Sequence, residues 1–234
     1  MQAGPAICAI LYGLSRGAIL LHNGQEVGEP GEGQEGFGHN DARTSIFDYW
    51  SMPELVKWVN GHRYDGGRLS REQKALRTSY ERLINLLDQP AFRSGICIPL
   101  NPANRDNPHY GRLPDEQPSG HWLYSFLRHD SDSGQTFLAT VNLNPRDSFK
   151  NVRIIFPSSV VQAIGLNKLA PEIVLQLKDR LAIHQPTSVQ TTVSETATLG
   201  IPVAEIPPVT PFYFEIKRAQ ATQRNFRTSI RSLL

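Results

Sequence analysis

Apolar positions along this chain follow three patterns, and each predicts a different element. From Pro5 to Ser15, "PAICAILYGLS" is mostly apolar and has the length of a packed helix. Pro5 suits its first turn, where a missing N–H costs nothing. Ala18 to Leu21, "AILL", is a short continuous apolar run. That is the pattern of a parallel strand covered on both faces. The 46 residues from Asn23 to Arg68 are rich in glycine and show no clear period. A stretch of that length without its own pattern is functional or disordered. Ser70 then offers an N-cap, with Gln73 completing a capping box. Leu76, Tyr80, Leu83 and Leu87 follow at spacings of four, three and four, the face of an amphipathic helix that Pro90 stops. Helix, buried strand, long loop and helix in this order form a fragment of a repeating β/α architecture.

Beyond residue 90 the period changes to two. "HWLYSFLRH" and "QTFLATVNL" read as strands joined by the hairpin signal "DSDSG". Phe137, Ala139, Val141 and Leu143 alternate with Leu138, Thr140 and Asn142. The same alternation runs through Val152, Ile154 and Phe156, and through Phe212, Phe214 and Ile216. An antiparallel sandwich of about seven or eight strands is expected. The organisation is thus 1–90, an α/β stretch; 91–218, an all-β sandwich; and 219–234, a tail.

Charge adds little: 24 basic and 22 acidic residues give a net charge of +2. The basic residues are scattered rather than interleaved with aromatics, which argues against a nucleic-acid partner. Arg218, Arg224, Arg227 and Arg231 make the tail mildly basic, as a solvated end would be. Cys8 and Cys97 have no metal or redox spacing and sit among apolar neighbours, as small buried hydrophobes do. No run approaches the roughly 18 apolar residues of a membrane span, so no membrane partner is expected. "AICAILYGL" has the apolar character of a signal peptide, but "MQAGP" before it carries no basic residue and Arg16 follows closely. It is read as a helix, and location stays open.

Three segments together are similar to one known family. "GAILLHNGQEVGEP", "DARTSIFDYWSMPELVKWVNGHRYDGG" and "LSREQKALRTSYERLINLL" resemble the last β/α unit of α-amylase-family enzymes, of the glycoside hydrolase family 13 type. In that family an NGQE-type strand end closes a (β/α)8 barrel. A capped eighth helix and a β-sandwich, domain C, then follow. "EIPPVTPFYFEIKR" resembles the last strand of domain C. The resemblance covers about residues 1 to 218. It implies that the first zone is the end of a TIM-type barrel.

The resemblance also implies a parent activity: retaining hydrolysis or transglycosylation of α-glucans. Retaining enzymes use two carboxylates about 5–5.5 Å apart. In the family these follow strands four and five, and a further Asp follows strand seven in an "N-H-D" segment. All three would precede this chain. "GHND", Gly38 to Asp41, comes after the eighth strand and is not that segment. No catalytic residue is therefore assigned, and this chain alone is expected to be inactive.

The active-site face of a barrel is built from loops after its strands. On that rim the candidates are Asn23, Gln25 and Glu26, which either orient sugar hydroxyls or hydrogen-bond the turn after the strand. Tyr49 and Trp50 either stack on a sugar or pack within their loop. Glu29, Glu32 and Glu35 lack the density of an oxygen cage for calcium. His22, His39, His62 and His109 show no ligand spacing, and His62 reads as a loop hydrogen-bonder. No cofactor and no metal are expected.

A strand and helices built for a barrel would leave unpaired backbone and apolar faces when alone. The expected partners are the missing N-terminal barrel fragment or a second copy of the chain, besides the α-glucan of the parent barrel. The first zone is expected to be less stable than the sandwich. Two other roles fit the same residues. One is a free-standing carbohydrate-binding module, with Trp122 and Tyr124 as platform or core; the other is a structural subunit that complements a split barrel.

Overall fold

Pro5 sits in the first turn of helix α1, Gly4–Leu14, in a computed structural model that describes residues 3–31, 50–183 and 187–219. The helix buries Ala6, Cys8, Ala9, Tyr12 and Gly13. Ala18–Leu21 does not form the expected strand. It joins neither sheet, and its Leu20 is 86% exposed. A strand covered on both faces needs ladder partners on both edges, and among the described residues none lies beside it. The stretch to Gly95 therefore contributes helices: α2, Leu55–Val59; α3, Arg71–Leu87; and α4, Pro90–Arg93. Among the described residues it forms no β/α pair.

Helix α3 begins as its sequence requires. Gln73 N–H donates to Ser70 Oγ at 3.2 Å, and Ser70 N–H donates to Gln73 Oε1 at 3.0 Å. Tyr80, Leu83 and Leu86 are buried along one side, with Leu76 and Leu87 half-buried beside them.

Among the described residues eight strands follow: β1, Ile96–Pro99; β2, Leu123–His129; β3, Thr136–Asn142; β4, Phe149–Ile154; β5, Val174–Asp179; β6, Ser188–Thr192; β7, Ile201–Ile206; and β8, Pro211–Arg218. Six make one antiparallel sheet in the order β1-β2-β3-β8-β5-β6, while β4 and β7 pair separately. The β2–β3 turn is closed by Asp130, whose carboxylate accepts from Ser133 N–H at 2.9 Å and from its hydroxyl at 2.5 Å.

The large sheet is covered twice. Leu123, Leu127, Leu138, Leu177 and Phe214 face the β4–β7 pair and its flanking short helices. Phe126, Phe137, Ala139, Val141 and Tyr213 face α1, α3 and α4. All seven residues of β3 are buried. Its polar members are satisfied in place: Ser125 Oγ donates to Thr140 Oγ1 at 2.9 Å, and the Asn142 amide reaches Asp147 O at 2.8 Å.

Polar ties lock the helical layer to the sheet. Arg128, 1% exposed, donates to Ala91 O at 3.0 Å and to Phe92 O at 2.6 Å. Arg82 Nη1 donates to Leu181 O at 3.1 Å and Ala182 O at 2.6 Å. The rings of Phe92 and Tyr213 stack 5.5 Å apart.

Candidate functional site

Two glycines shape the segment that carries the rim candidates. Gly24 (φ 84°) and Gly28 (φ 78°) flank a single 3-10 turn, Gln25–Val27. At Gly24 a Cβ would stand 2.7 Å from Glu29 Cβ and 2.9 Å from Met52 Cε, so close packing as well as φ requires glycine. The turn directs Gln25 inward. Its amide donates to Cys8 Sγ at 3.0 Å and to Tyr80 OH at 3.2 Å. These contacts fasten the turn to α1 and α3. Burial, then the neighbouring Cys8 thiol, pushes the Tyr12 phenol up to about 12. Burial, followed by the Cys8 hydrogen bond, also pushes Tyr80 up. Both phenols stay neutral hydrogen-bonding groups at ordinary pH.

Beside this knot lies a cleft of about 660 Å³, lined among others by His22, Asn23, Gln25, Glu29, Glu54 and Tyr80. Glu29 caps α2: one carboxylate oxygen accepts from Glu54 N–H at 2.8 Å and Leu55 N–H at 2.9 Å. Glu54 accepts from Gln73 Nε2 and Lys57 Nζ, each at 2.5 Å. Gln73 also donates to Val27 O at 3.0 Å, joining the head of α3 to the Gln25–Val27 turn. Glu29 thus acts as a helix cap, and among the described residues no group of three His, Cys, Asp or Glu could hold a metal.

The candidates separate in this setting. Asn23 is exposed on the cleft, Gln25 is half-buried in the knot, and Glu26 is half-buried beside it. Trp50 is 71% exposed, in the turn before the buried Met52. Tyr49, Glu32, Glu35 and His39 lie outside the described residues. Trp122 and Tyr124 are half-buried and pack against opposite layers, Trp122 toward the β4–β7 side and Tyr124 toward the helices. They do not form a platform, because Trp122 precedes β2 and departs from its alternation. His22 Nδ1 is 3.1 Å from Asn23 O, and His62 Nδ1 is 3.4 Å from Tyr64 OH.

Sequence patterns did not assign Glu54 and Tyr80 to a cleft, nor Gln73 to the buried bonds behind it. Gln73 was visible as a capping residue and Tyr80 as an apolar-face residue. Their second roles depend on contacts across 46 and 55 positions.

An antiparallel sheet covered by helices on one face and a small second sheet on the other defines the class of this fold. Among solved structures, an Anoxybacillus α-amylase shares it at a TM-score of 0.51 and 13% identity. The match covers 94% of this chain and 33% of that one. An α-amylase from Geobacillus thermoleovorans, solved with acarbose, matches at a TM-score of 0.45 and 13% identity, over 94% of this chain and 34% of its own. The chain therefore spans about a third of the length of these two α-amylases. No protein-family profile matches the sequence, and no curated protein does.

Proposed function

We propose that this chain is the C-terminal part of an α-amylase-like glycoside hydrolase acting on α-glucans. Residues 1–90 would be the end of its barrel and 91–218 its domain C. The observation that carries this reading is the shared fold, which covers 94% of the chain and a third of an α-amylase. The order NGQE turn, capped helix, sandwich runs the same way as the family resemblance. On this reading Asn23 and Glu26 lie on the substrate side, Gln25 positions their turn, and Trp50 is a further candidate for sugar contact. The catalytic carboxylates belong to the preceding part of the barrel, so the isolated chain does not cleave starch.

A second reading, a subunit that completes a split barrel, is favoured by one observation. Leu11 is 59% exposed on α1 and Leu20 is 86% exposed in the segment after it. These apolar positions suit burial against a missing neighbour. The intact mass of the gene product in its native cells tests both readings. A species far above 26.2 kDa supports the first. A species at 26.2 kDa overturns it in favour of the second.

A further inference from the structure

Five of the seven residues from Asn60 to Gly66 adopt left-handed φ values, between 46° and 69°. Three of them, Asn60, His62 and Tyr64, are not glycine. A left-handed backbone is unusual for an aromatic residue, and such outliers persist only where surrounding structure enforces them. Here the enforcement is explicit. Tyr64 N–H donates to Val59 O and Gly66 N–H to Trp58 O, each at 3.0 Å. Asp65 Oδ1 accepts from Asn60 Nδ2 at 2.7 Å and from Gly67 N–H at 2.8 Å. The loop between α2 and α3 is thus held in one shape.

That shape presents the ring of Tyr64 to solvent, 52% exposed. Behind it stands Trp58, with ring centroids 5.8 Å apart. Trp58 packs on the cluster of Val27, Met52, Leu55 and Leu69, and the Arg77 guanidinium covers its ring at 5.2 Å. The tyrosine is therefore mounted on a fixed base. Around it are exposed polar groups: His62, whose ring centroid is 6.2 Å away, and Asp65. Hydrogen bonds from Asn60 and then Gly67 hold the Asp65 carboxyl below the usual carboxylate range, so it stays an acceptor.

We propose that the Asn60–Gly67 loop is a carbohydrate-binding platform, on which a pyranose ring stacks against Tyr64 while Asp65 and His62 take its hydroxyls. A pyranose has an apolar C–H face rimmed by hydroxyls. A rigid aromatic face rimmed by a carboxylate and an imidazole complements both features. Rigidity lowers the cost of ordering the site on binding. The assignment of α-glucan as the ligand rests on the proposed family reading; the platform itself rests on the loop.

The test titrates the full chain with maltoheptaose and, in parallel, with the β-linked cellohexaose, by calorimetry or saturation-transfer NMR. Two variants accompany it. Tyr64→Phe keeps the ring and is expected to keep binding. Tyr64→Gly removes the ring, relieves the left-handed φ, and is expected to weaken binding at least about tenfold with the fold intact by circular dichroism. Binding of maltoheptaose lost in Tyr64→Gly upholds the proposal. Tyr64-dependent binding of cellohexaose alone upholds the platform and overturns its α-glucan assignment. No binding of either sugar, or equal binding by Tyr64→Gly, overturns the platform and leaves the family reading to the mass measurement.

Discussion

The hydroxyl of Tyr213 in the last strand donates to the backbone carbonyl of Ala9 in the first helix, across 204 positions of sequence. Gly13, one turn on in α1, makes the approach possible. A Cβ there would stand 1.9 Å from Tyr213 Oη and 2.7 Å from Phe126 Cζ. Helix and sheet share one packed layer at this point.

Substitutions at the contact should be coupled. Tyr213→Phe is expected to cost about 1 kcal/mol for the lost hydrogen bond. Gly13→Ala should cost about 1–3 kcal/mol through overpacking. In the double variant the missing hydroxyl relieves part of the clash, so the two costs should add to less than their sum. Urea unfolding of the four proteins measures this. Strict additivity would mean that α1 shifts away from Tyr213 without cost.

Hydrogen exchange addresses the stability of the helical layer. The buried amides of α1 are expected to be less protected than those of β3, because α1 leaves Ile7 and Leu11 exposed while every residue of β3 is buried. Equal protection would instead mean that helices and sheet open as a single unit.

Gln73 does more than cap α3, and mutation should reveal the difference. Ser70→Ala removes one side of the capping box, at about 1 kcal/mol. Gln73→Ala also strips the bonds to Val27 O and Glu54; Glu54 keeps Lys57, but the buried Val27 carbonyl loses this donor. It should be the costlier change by thermal or urea unfolding. Equal costs would show that the bonds to Val27 O and Glu54 contribute nothing to stability.

Glu215 predicts an acid-sensitive ion cluster. Burial pushes its carboxyl up, but the Lys217 hydrogen bond and the charges of Arg180 and Lys217 outweigh this and hold it below its usual value. Lys217 Nζ lies 3.1 Å away. A depressed carboxyl contributes stability above its unfolded value, about 4.3, and loses it as pH falls through the lower folded value. Glu215→Gln should therefore flatten the fall in Tm below about pH 4.5. An unchanged slope would assign acid sensitivity elsewhere.

The two thiols should differ in reactivity. Cys8 is buried and Cys97 half-buried, neither in a disulfide. Burial pushes the Cys97 thiol up, and Arg128 and Arg16 offset this only in part. Alkylation at about pH 8 should modify Cys97 more slowly than a small free thiol, and Cys8 only on unfolding. Faster modification of Cys97 would show that the arginines dominate.

Local chemistry was legible from the sequence. Pro5 opened α1, Ser70 and Gln73 started α3, "DSDSG" turned the β2–β3 hairpin, and period-two alternation marked strands. Each of these signals depends on neighbours within a few positions.

Long-range choices were not legible. An apolar run such as Ala18–Leu21 specifies burial but supplies no ladder partner, and without one it joins no sheet and leaves Ile19 and Leu20 exposed. Alternation in β3 suggested one covered face; helices from the first ninety residues cover the second, which only tertiary contacts could decide. Whether Trp122 and Tyr124 faced solvent depended on which layers met them. Tyr64 was held outward by left-handed backbone and by Trp58, a geometry that composition does not encode. Propensity and period act over a few residues, whereas pairing and burial are set by elements far apart in the chain.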